Sequence, residues 1–94
     1  MDTTAKRANY LRLAGGLLYS EADRLAGLTR GQSWQTEHRS GEASVPVLRA
    51  LSELYGATVG WIGNAEGKPP SVSAIKRAVT AARDRVEGAN GTHS

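Results

Sequence analysis

Apolar residues recur at spacings of three and four along most of this chain, and this spacing predicts helices rather than strands. The best-defined segment has a wide apolar face formed by Val45, Leu48, Leu51, Leu54 and Tyr55. Ser44 is placed to cap this helix, Pro46 falls in its first turn, and Gly56 ends it. No run of β-branched or aromatic residues alternates with polar ones, so the pattern predicts an all-α domain.

Glycine and proline residues divide the rest of the chain into further helices. We predict helices at about 3–14, 20–27, 30–38, 45–55 and 71–87, and a short helical turn near 58–63. Thr58 is placed to cap that turn, which should bury Trp61. Gly88 is predicted to end the last helix and to leave residues 88–94 as a disordered tail. The expected architecture is a small bundle of about five helices.

The segment from Tyr19 to His38 has the pattern of two short helices joined by a tight turn. Ser20 and Asp23 have the spacing of a capping box at the start of the first helix. Gly27 lies where this helix must stop, and Thr29 is placed to cap the second helix. Two helices joined in this way form a helix-turn-helix unit, whose second helix lies in the DNA major groove. A junction in an ordinary helical domain has the same spacing and is the alternative.

The last predicted helix carries a narrow apolar stripe at spacings of three and four. Such a stripe either lies across its own domain or pairs with the same helix of a second chain. We assign it as a dimerisation or docking element, so that the chain divides into a helix-turn-helix domain at 1–70 and a C-terminal helix at 71–87. The residues expected at a dimer contact are Val72, Ile75, Val79 and Val86.

Composition limits the chemistry that this chain can perform. It has 94 residues, a formal net charge of +3 and no cysteine, which excludes a disulfide, a thiol nucleophile and a cysteine-based zinc site. With only two histidines, a histidine-rich metal site is not expected either. No Ser–His–acid set or phosphate-binding loop is recognisable. We therefore expect no enzyme, no metal and no cofactor, and the basic charge favours an anionic partner.

The apolar runs are too short for a membrane span, and the N-terminus lacks the apolar core of a signal peptide. We expect a cytoplasmic protein with no membrane contact.

Three stretches resemble the phage-repressor-like (Xre-type) helix-turn-helix family: LRLAGGL at 11–17, LAGLTR at 25–30, and SVPVLRALSELYGATVGWIGNAEGKPP at 44–70. The last is the most specific, because the family usually has there a capped helix, a leucine stripe, a glycine, a second cap and an aromatic–aliphatic pair such as Trp61-Ile62. Glu37 matches the acidic residue that commonly ends the recognition helix. The resemblance covers roughly residues 4–70 and implies a lambda-repressor-like DNA-binding domain, here with an extra C-terminal helix.

The DNA-reading part of the motif departs from the family pattern. Asp23 stands where the family has a small apolar residue, and Ser33 and Thr36 stand where it has branched aliphatic residues. Leu18 and Tyr19 replace a Ser or Thr followed by Gln. A buried carboxylate without a partner is costly, so Asp23 must be capped, paired or turned outward. We expect an intact scaffold with an altered reading surface.

The resemblance implies a set of DNA-contacting residues on and around the second helix of the motif. They are Arg30, Gln32, Trp34, Gln35 and His38 at the bases, and Tyr19, Arg12 and Arg39, together with Lys6 and Arg7, at phosphates. Arg pairs with a guanine edge and Gln with an adenine edge through two hydrogen bonds. Trp34 has three candidate positions: against DNA, folded inward beside Ser33 and Thr36, or at a protein interface. We favour the last two.

Two functions fit this pattern. The first is a DNA-binding transcriptional regulator of the phage or prophage repressor type, which acts as a homodimer on a two-fold operator. The alternative is a protein-interaction module or inhibitor, antitoxin-like or phage-encoded, that keeps the scaffold without reading DNA sequence. The basic bias of residues 1–41 favours the first. The residues Asp23, Ser33, Trp34 and Thr36 favour the second.

Overall fold

The computed structural model describes residues 1–39 and 43–91, which form six α-helices and no β-strand. The helices are α1 (Thr4–Gly15), α2 (Tyr19–Ala26), α3 (Gln32–His38), α4 (Val45–Tyr55), α5 (Val59–Asn64) and α6 (Val72–Gly91). The five predicted helices are present, and the predicted turn near 58–63 is a helix of its own. The all-α prediction is confirmed over the described residues, and none of their helices is long and apolar enough to cross a membrane.

Thr58 and Gly56 form the helix ends that the sequence pattern indicated, and Ser71 caps a further helix. Oγ1 of Thr58 accepts the N–H of Trp61 at 3.0 Å at the start of α5. Oγ of Ser71 accepts the N–H of Ala74 at 3.2 Å at the start of α6. Gly56 ends α4 with a φ of 71°, a left-handed conformation that glycine adopts without a steric penalty.

Two predicted caps in the helix-turn-helix segment are wrong. Ser20 does not begin α2, because the helix starts at Tyr19, where Oε1 of Glu21 accepts the N–H of Leu18 at 3.0 Å. Thr29 does not cap α3, because Gly31, with a φ of 91°, lies between it and the helix. The cap of α3 comes from α2 instead.

The buried apolar residues form one cluster to which five helices contribute. It contains Ala8, Leu11, Leu17, Ala22, Leu25, Val47, Leu48, Leu51, Leu54, Tyr55, Ala57, Trp61, Ile62, Ile75, Val79 and Ala82. Trp61 is 4% exposed, which confirms its predicted burial. Val45 was expected to face the core but is 56% exposed, since it lies at the first position of α4 and Val47 takes the buried position. None of these core residues belongs to α3.

The apolar stripe of α6 is buried within its own chain. Ile75 and Val79 are 0% and 4% exposed, so they are not available to a second chain, and this corrects their assignment to a dimer contact. Two glycines, at the ends of α1 and α4, allow α6 to approach these helices closely. A Cβ atom on Gly15 would lie 3.0 Å from Cγ2 of Val79, and one on Gly56 would lie 3.0 Å from Cβ of Ala78. Of the two expected arrangements, the chain adopts the one in which the helix lies across its own domain.

The two ends of the stripe differ from its centre. Val86 is partly buried against the same core, whereas Val72 is 46% exposed. The helix continues through Gly88 to Gly91, so the predicted end at Gly88 is wrong. Gly88 has no positive φ, and the backbone therefore does not turn away there. Residues 92–94 of the predicted tail lie outside the described residues.

Candidate nucleic-acid interface

Helix α3 has seven residues and adds no apolar side chain to the core. A helix of this length is not stable alone in water, so contacts with other helices must hold it. Its buried residue is Ser33, at 3% exposed, and Thr36 and Glu37 are half-buried. The position of α3 therefore depends on polar contacts with its neighbours.

Asp23 of α2 caps the N-terminus of α3. Its Oδ2 accepts the N–H of Gly31 at 2.8 Å, and its Oδ1 accepts the N–H of Ser33 at 2.8 Å. Asp23 is 6% exposed, so these amides are satisfied away from solvent. The negative charge also lies at the positive end of the α3 backbone dipoles. Of the three possibilities expected for a carboxylate at this position, Asp23 has become a cap.

Glu37 holds the other end of α3 against α1. Its Oε2 accepts from Nε of Arg12 at 2.8 Å, and its Oε1 accepts from Nδ2 of Asn9 at 2.8 Å. The side chains of Arg12 and Glu37 are only 10% and 4% exposed. Desolvation by burial acts to lower the pKa of Arg12, but the hydrogen bond and charge of Glu37 outweigh it, and the pKa is raised. The guanidinium therefore stays charged and paired inside the fold.

Two arginines that were expected at phosphates serve the fold instead. Besides Glu37, Arg12 donates to the carbonyl oxygen of Leu17 at 2.9 Å and is 8% exposed as a residue. Arg7 is 4% exposed, and its Nε donates to the carbonyl oxygen of Ile62 at 2.7 Å near the end of α5. Because both guanidinium groups are buried and hydrogen-bonded, neither can meet a phosphate, which corrects the prediction for Arg12.

The outward face of α3 and its flanks carries most of the residues assigned to DNA. Exposed residues there are Arg30, Trp34, Gln35, His38 and Arg39, while Gln32 and Tyr19 are half-buried. Oε1 of Gln32 accepts the N–H of Thr29 at 3.0 Å, so this amide is partly engaged in the turn. The structure therefore brings most of these residues to one surface, where Gln32 and Tyr19 are less exposed than the others.

Trp34 points outward and is 48% exposed, so the inward position is excluded, and the positions against DNA or at a protein interface stay open. Oγ1 of Thr36 donates within α3 to the carbonyl oxygen of Gln32 at 2.8 Å. The hydroxyl of Ser33 is buried without a hydrogen-bond partner. Trp34 instead stacks on the ring of His38, with centroids 4.3 Å apart and planes 8° from parallel.

Three rings form a row across the ends of α3 and α2; we call Trp34, His38 and Tyr19 the aromatic row. The His38 and Tyr19 centroids are 5.8 Å apart, with planes at 63°. The guanidinium of Arg12 lies 3.9 Å from the Tyr19 centroid, which is a cation–π distance. The four-residue spacing of Trp34 and His38 is the sequence signal that two side chains are neighbours on one face of a helix.

The outward surface of α3 carries cationic and neutral groups. Asp23 and Glu37 are turned inward and satisfied by the contacts described above. Arg30 and Arg39 form no ion pair with any residue that the structure describes. An anionic partner would therefore meet no exposed carboxylate of α3 itself.

A cleft of about 300 Å³ opens beside this surface, between α3 and the start of α4. Its lining residues are Gln32, Gln35, Thr36, Arg39, Ala43, Ser44 and Val47. Within the ranges 1–39 and 43–91, no group of three or more His, Asp or Glu side chains could hold a metal ion.

No family model, curated protein or solved structure matches this chain. The resemblance to the phage-repressor-like family therefore rests on the sequence motifs alone.

Proposed function

We propose that this protein binds double-stranded DNA as a transcriptional regulator, with α3 in the major groove. The observation that carries the proposal is the position of α3, whose inward side is fixed by Asp23 and Glu37 while its outward side is exposed and has no carboxylate. The motifs that resemble the phage-repressor-like family support the same function and a lambda-repressor-like docking. In such docking the first helix of the pair crosses the DNA backbone.

The side chains on this face have the chemistry that base edges require. Arg30 can donate two hydrogen bonds to a guanine, and the amide of Gln35 can pair in two directions with an adenine. A good pair of this kind contributes about 1–3 kcal/mol of discrimination against the wrong base. Arg39, exposed at the end of α3, is suited to a phosphate, a contact that positions the protein without reading sequence.

A helix that reads bases has to be held in one orientation by the residues behind it. Here the two carboxylates supply that support, one at each end of α3. Their hydrogen bonds have defined directions, so they fix the rotation of the helix as well as its distance from α1 and α2. We therefore assign Asp23 and Glu37 as positioning residues of the DNA-reading helix.

We propose that one chain binds one DNA site. The expected two-fold operator depended on the α6 stripe, and Ile75 and Val79 are buried in the core of their own chain. Sedimentation of the protein alone and bound to DNA would measure how many chains bind.

Fluorescence anisotropy with a labelled mixed-sequence duplex, at several salt concentrations, tests the proposal. Affinity should fall steeply as salt rises, because phosphate neutralisation releases counterions. Arg39→Ala should weaken binding and reduce the salt slope by about 1. Arg77→Ala, at an exposed position of α6, is the matched control and should leave both unchanged. Absent or salt-insensitive binding, or equal losses in the two variants, would contradict the proposal.

The second candidate, a protein-interaction module, is favoured by exposed apolar side chains beside the aromatic row. Leu18 is 67% exposed and Trp34 is 48% exposed. Exposed Trp side chains are typical anchors of protein interfaces. This alternative predicts no measurable affinity for the duplex even at low salt, so the same titration separates the two functions.

A further inference from the structure

The imidazole of His38 is held in one plane on the outward face of α3. One contact is the stack on Trp34, at 4.3 Å, and another is the Tyr19 ring, at 5.8 Å. In addition, Nδ1 of His38 lies 2.9 Å from the carbonyl oxygen of Trp34. Arg12 holds Tyr19 from α1, with its guanidinium 3.9 Å from the ring centroid. His38 is an exposed residue, and the carbonyl contact involves Nδ1. Its Nε2 edge is therefore the part of the ring that can meet a partner.

The carbonyl contact determines which ring nitrogen carries the hydrogen. A carbonyl oxygen only accepts hydrogen bonds, so Nδ1 of His38 must be the donor. In the neutral ring, Nε2 then has a lone pair and no hydrogen, and it can only accept. In the protonated ring, Nε2 carries a hydrogen and can only donate. The outward edge of His38 therefore has two opposite hydrogen-bonding states.

These two states fit different bases. In the major groove an acceptor pairs with the amino group of adenine or cytosine, whereas a donor pairs with N7 or O6 of guanine, N7 of adenine or O4 of thymine. We propose that His38 is a specificity-determining residue that reads one base pair through Nε2, and that Trp34 positions its ring. This inference rests on the proposed DNA binding by α3. It implies that the contact moves from the amino group of adenine or cytosine to an acceptor atom, which guanine and thymine present without an amino group, when the ring gains a proton.

The groups around His38 leave this edge available. The charged and titratable neighbours are Tyr19 from α2, Arg12 from α1, and Glu37 and Arg39 beside it in the chain. Arg12 and Glu37 are paired with each other at 2.8 Å. In the part of the chain that the structure describes, no side-chain carboxylate is hydrogen-bonded to His38.

Selection of bound duplexes from a random-sequence DNA library, at about pH 8 and about pH 5.5, tests the inference. The wild-type protein should enrich adenine or cytosine at one position at the higher pH and guanine or thymine there at the lower pH. The preference should be about fivefold to tenfold, as for a single hydrogen bond. His38→Gln should abolish this change, because its amide both donates and accepts at either pH.

Two further variants complete the test. His93→Gln changes the other histidine of the chain and should keep the wild-type change of preference. Trp34→Ala should weaken the preference at the same position only, with unchanged helical circular dichroism, because it frees the ring without removing it. A site whose composition is the same at both pH values, or changes equally in His38→Gln, overturns the inference and leaves DNA binding intact. The absence of any enriched site at either pH overturns the proposed function itself.

Discussion

Oδ1 of Asp23 accepts the backbone N–H of Ser33 at 2.8 Å, so that a side chain of α2 caps α3. Helices α2 and α3 are joined here by hydrogen bonds to one carboxylate. At the opposite end of α3, the buried pair of Arg12 and Glu37 repeats the arrangement with α1. Asp23, Ser33 and Thr36 are therefore compatible with a fixed position of α3.

Replacement of Asp23 should show how much this cap contributes to stability. Asp23→Ala leaves the amides of Gly31 and Ser33 without their acceptor, and we expect a loss of about 2–4 kcal/mol in the free energy of unfolding. Asp23→Asn should lose less, because its amide keeps one acceptor oxygen. Asp84→Ala, at an exposed position of α6, is the control for urea denaturation. Equal midpoints for Asp23→Ala and Asp84→Ala would show that the cap adds nothing.

Ser33 offers a stabilising substitution. Its buried hydroxyl has no hydrogen-bond partner, so Ser33→Ala should raise the free energy of unfolding by about 1 kcal/mol. The matched control is Ser52→Ala, which removes a hydroxyl that donates to the carbonyl oxygen of Ala57 and should lower stability by a similar amount. Thermal denaturation measures both. A loss of stability in Ser33→Ala would mean that its hydroxyl has a partner in solution.

The buried ion pair of Arg12 and Glu37 should contribute more to the free energy of unfolding than an exposed ion pair does. Arg12→Ala leaves the carboxylate of Glu37 buried without its charge partner, and such a change typically costs about 3–5 kcal/mol. Arg24→Ala breaks a pair with Glu87 whose side chains are 47% and 50% exposed, and should cost about 0–1 kcal/mol. Chemical denaturation of the two variants gives the comparison. Similar values would imply that water reaches the Arg12 pair.

The position of α6 can be tested at two sites of the same helix. Ile75 is 0% exposed, so Ile75→Asp buries a carboxylate among apolar side chains and should abolish the helical circular dichroism of the protein. Val72 is 46% exposed, and Val72→Asp should fold normally. Circular dichroism and sedimentation check both variants. A folded, monomeric Ile75→Asp protein would mean that the stripe joins two chains after all.

The sequence predicted most of the fold because local signals govern it. The Thr58 cap, the glycines that end α2 and α4, and the leucine spacing of α4 act within a few residues, and they located these helices. The stripe of α6 was ambiguous, because a periodic pattern shows that a face is apolar without showing what covers it. Its cover depends on Gly15 and Gly56, whose missing Cβ atoms matter only once α6 lies beside them.

The candidate site was predictable as a surface but not in its contacts. The resemblance to the phage-repressor-like family implied the face of α3 that carries Trp34, Gln35 and His38. The sequence does not show that Asp23 bonds to the amides of Gly31 and Ser33 or that Arg12 pairs with Glu37, because the partners belong to different helical segments. The position of a charged residue in the sequence pattern is the same whether its side chain is exposed or paired in the fold. The sequence left the position of Trp34 open for the same reason, because the hydrogen bonds of Asp23 and Glu37 that hold α3 lie between helices.

The claim that the outward face of α3 meets DNA can be tested with the two tryptophans of the chain. Trp34 is 48% exposed and Trp61 is 4% exposed, so acrylamide should quench the fluorescence of Trp34 and leave that of Trp61 nearly unaffected. Trp34→Phe assigns the quenched signal. When a duplex saturates the protein, the quenching constant of Trp34 should fall toward that of Trp61. A duplex that binds while Trp34 stays as accessible as in the free protein would contradict the proposed interface.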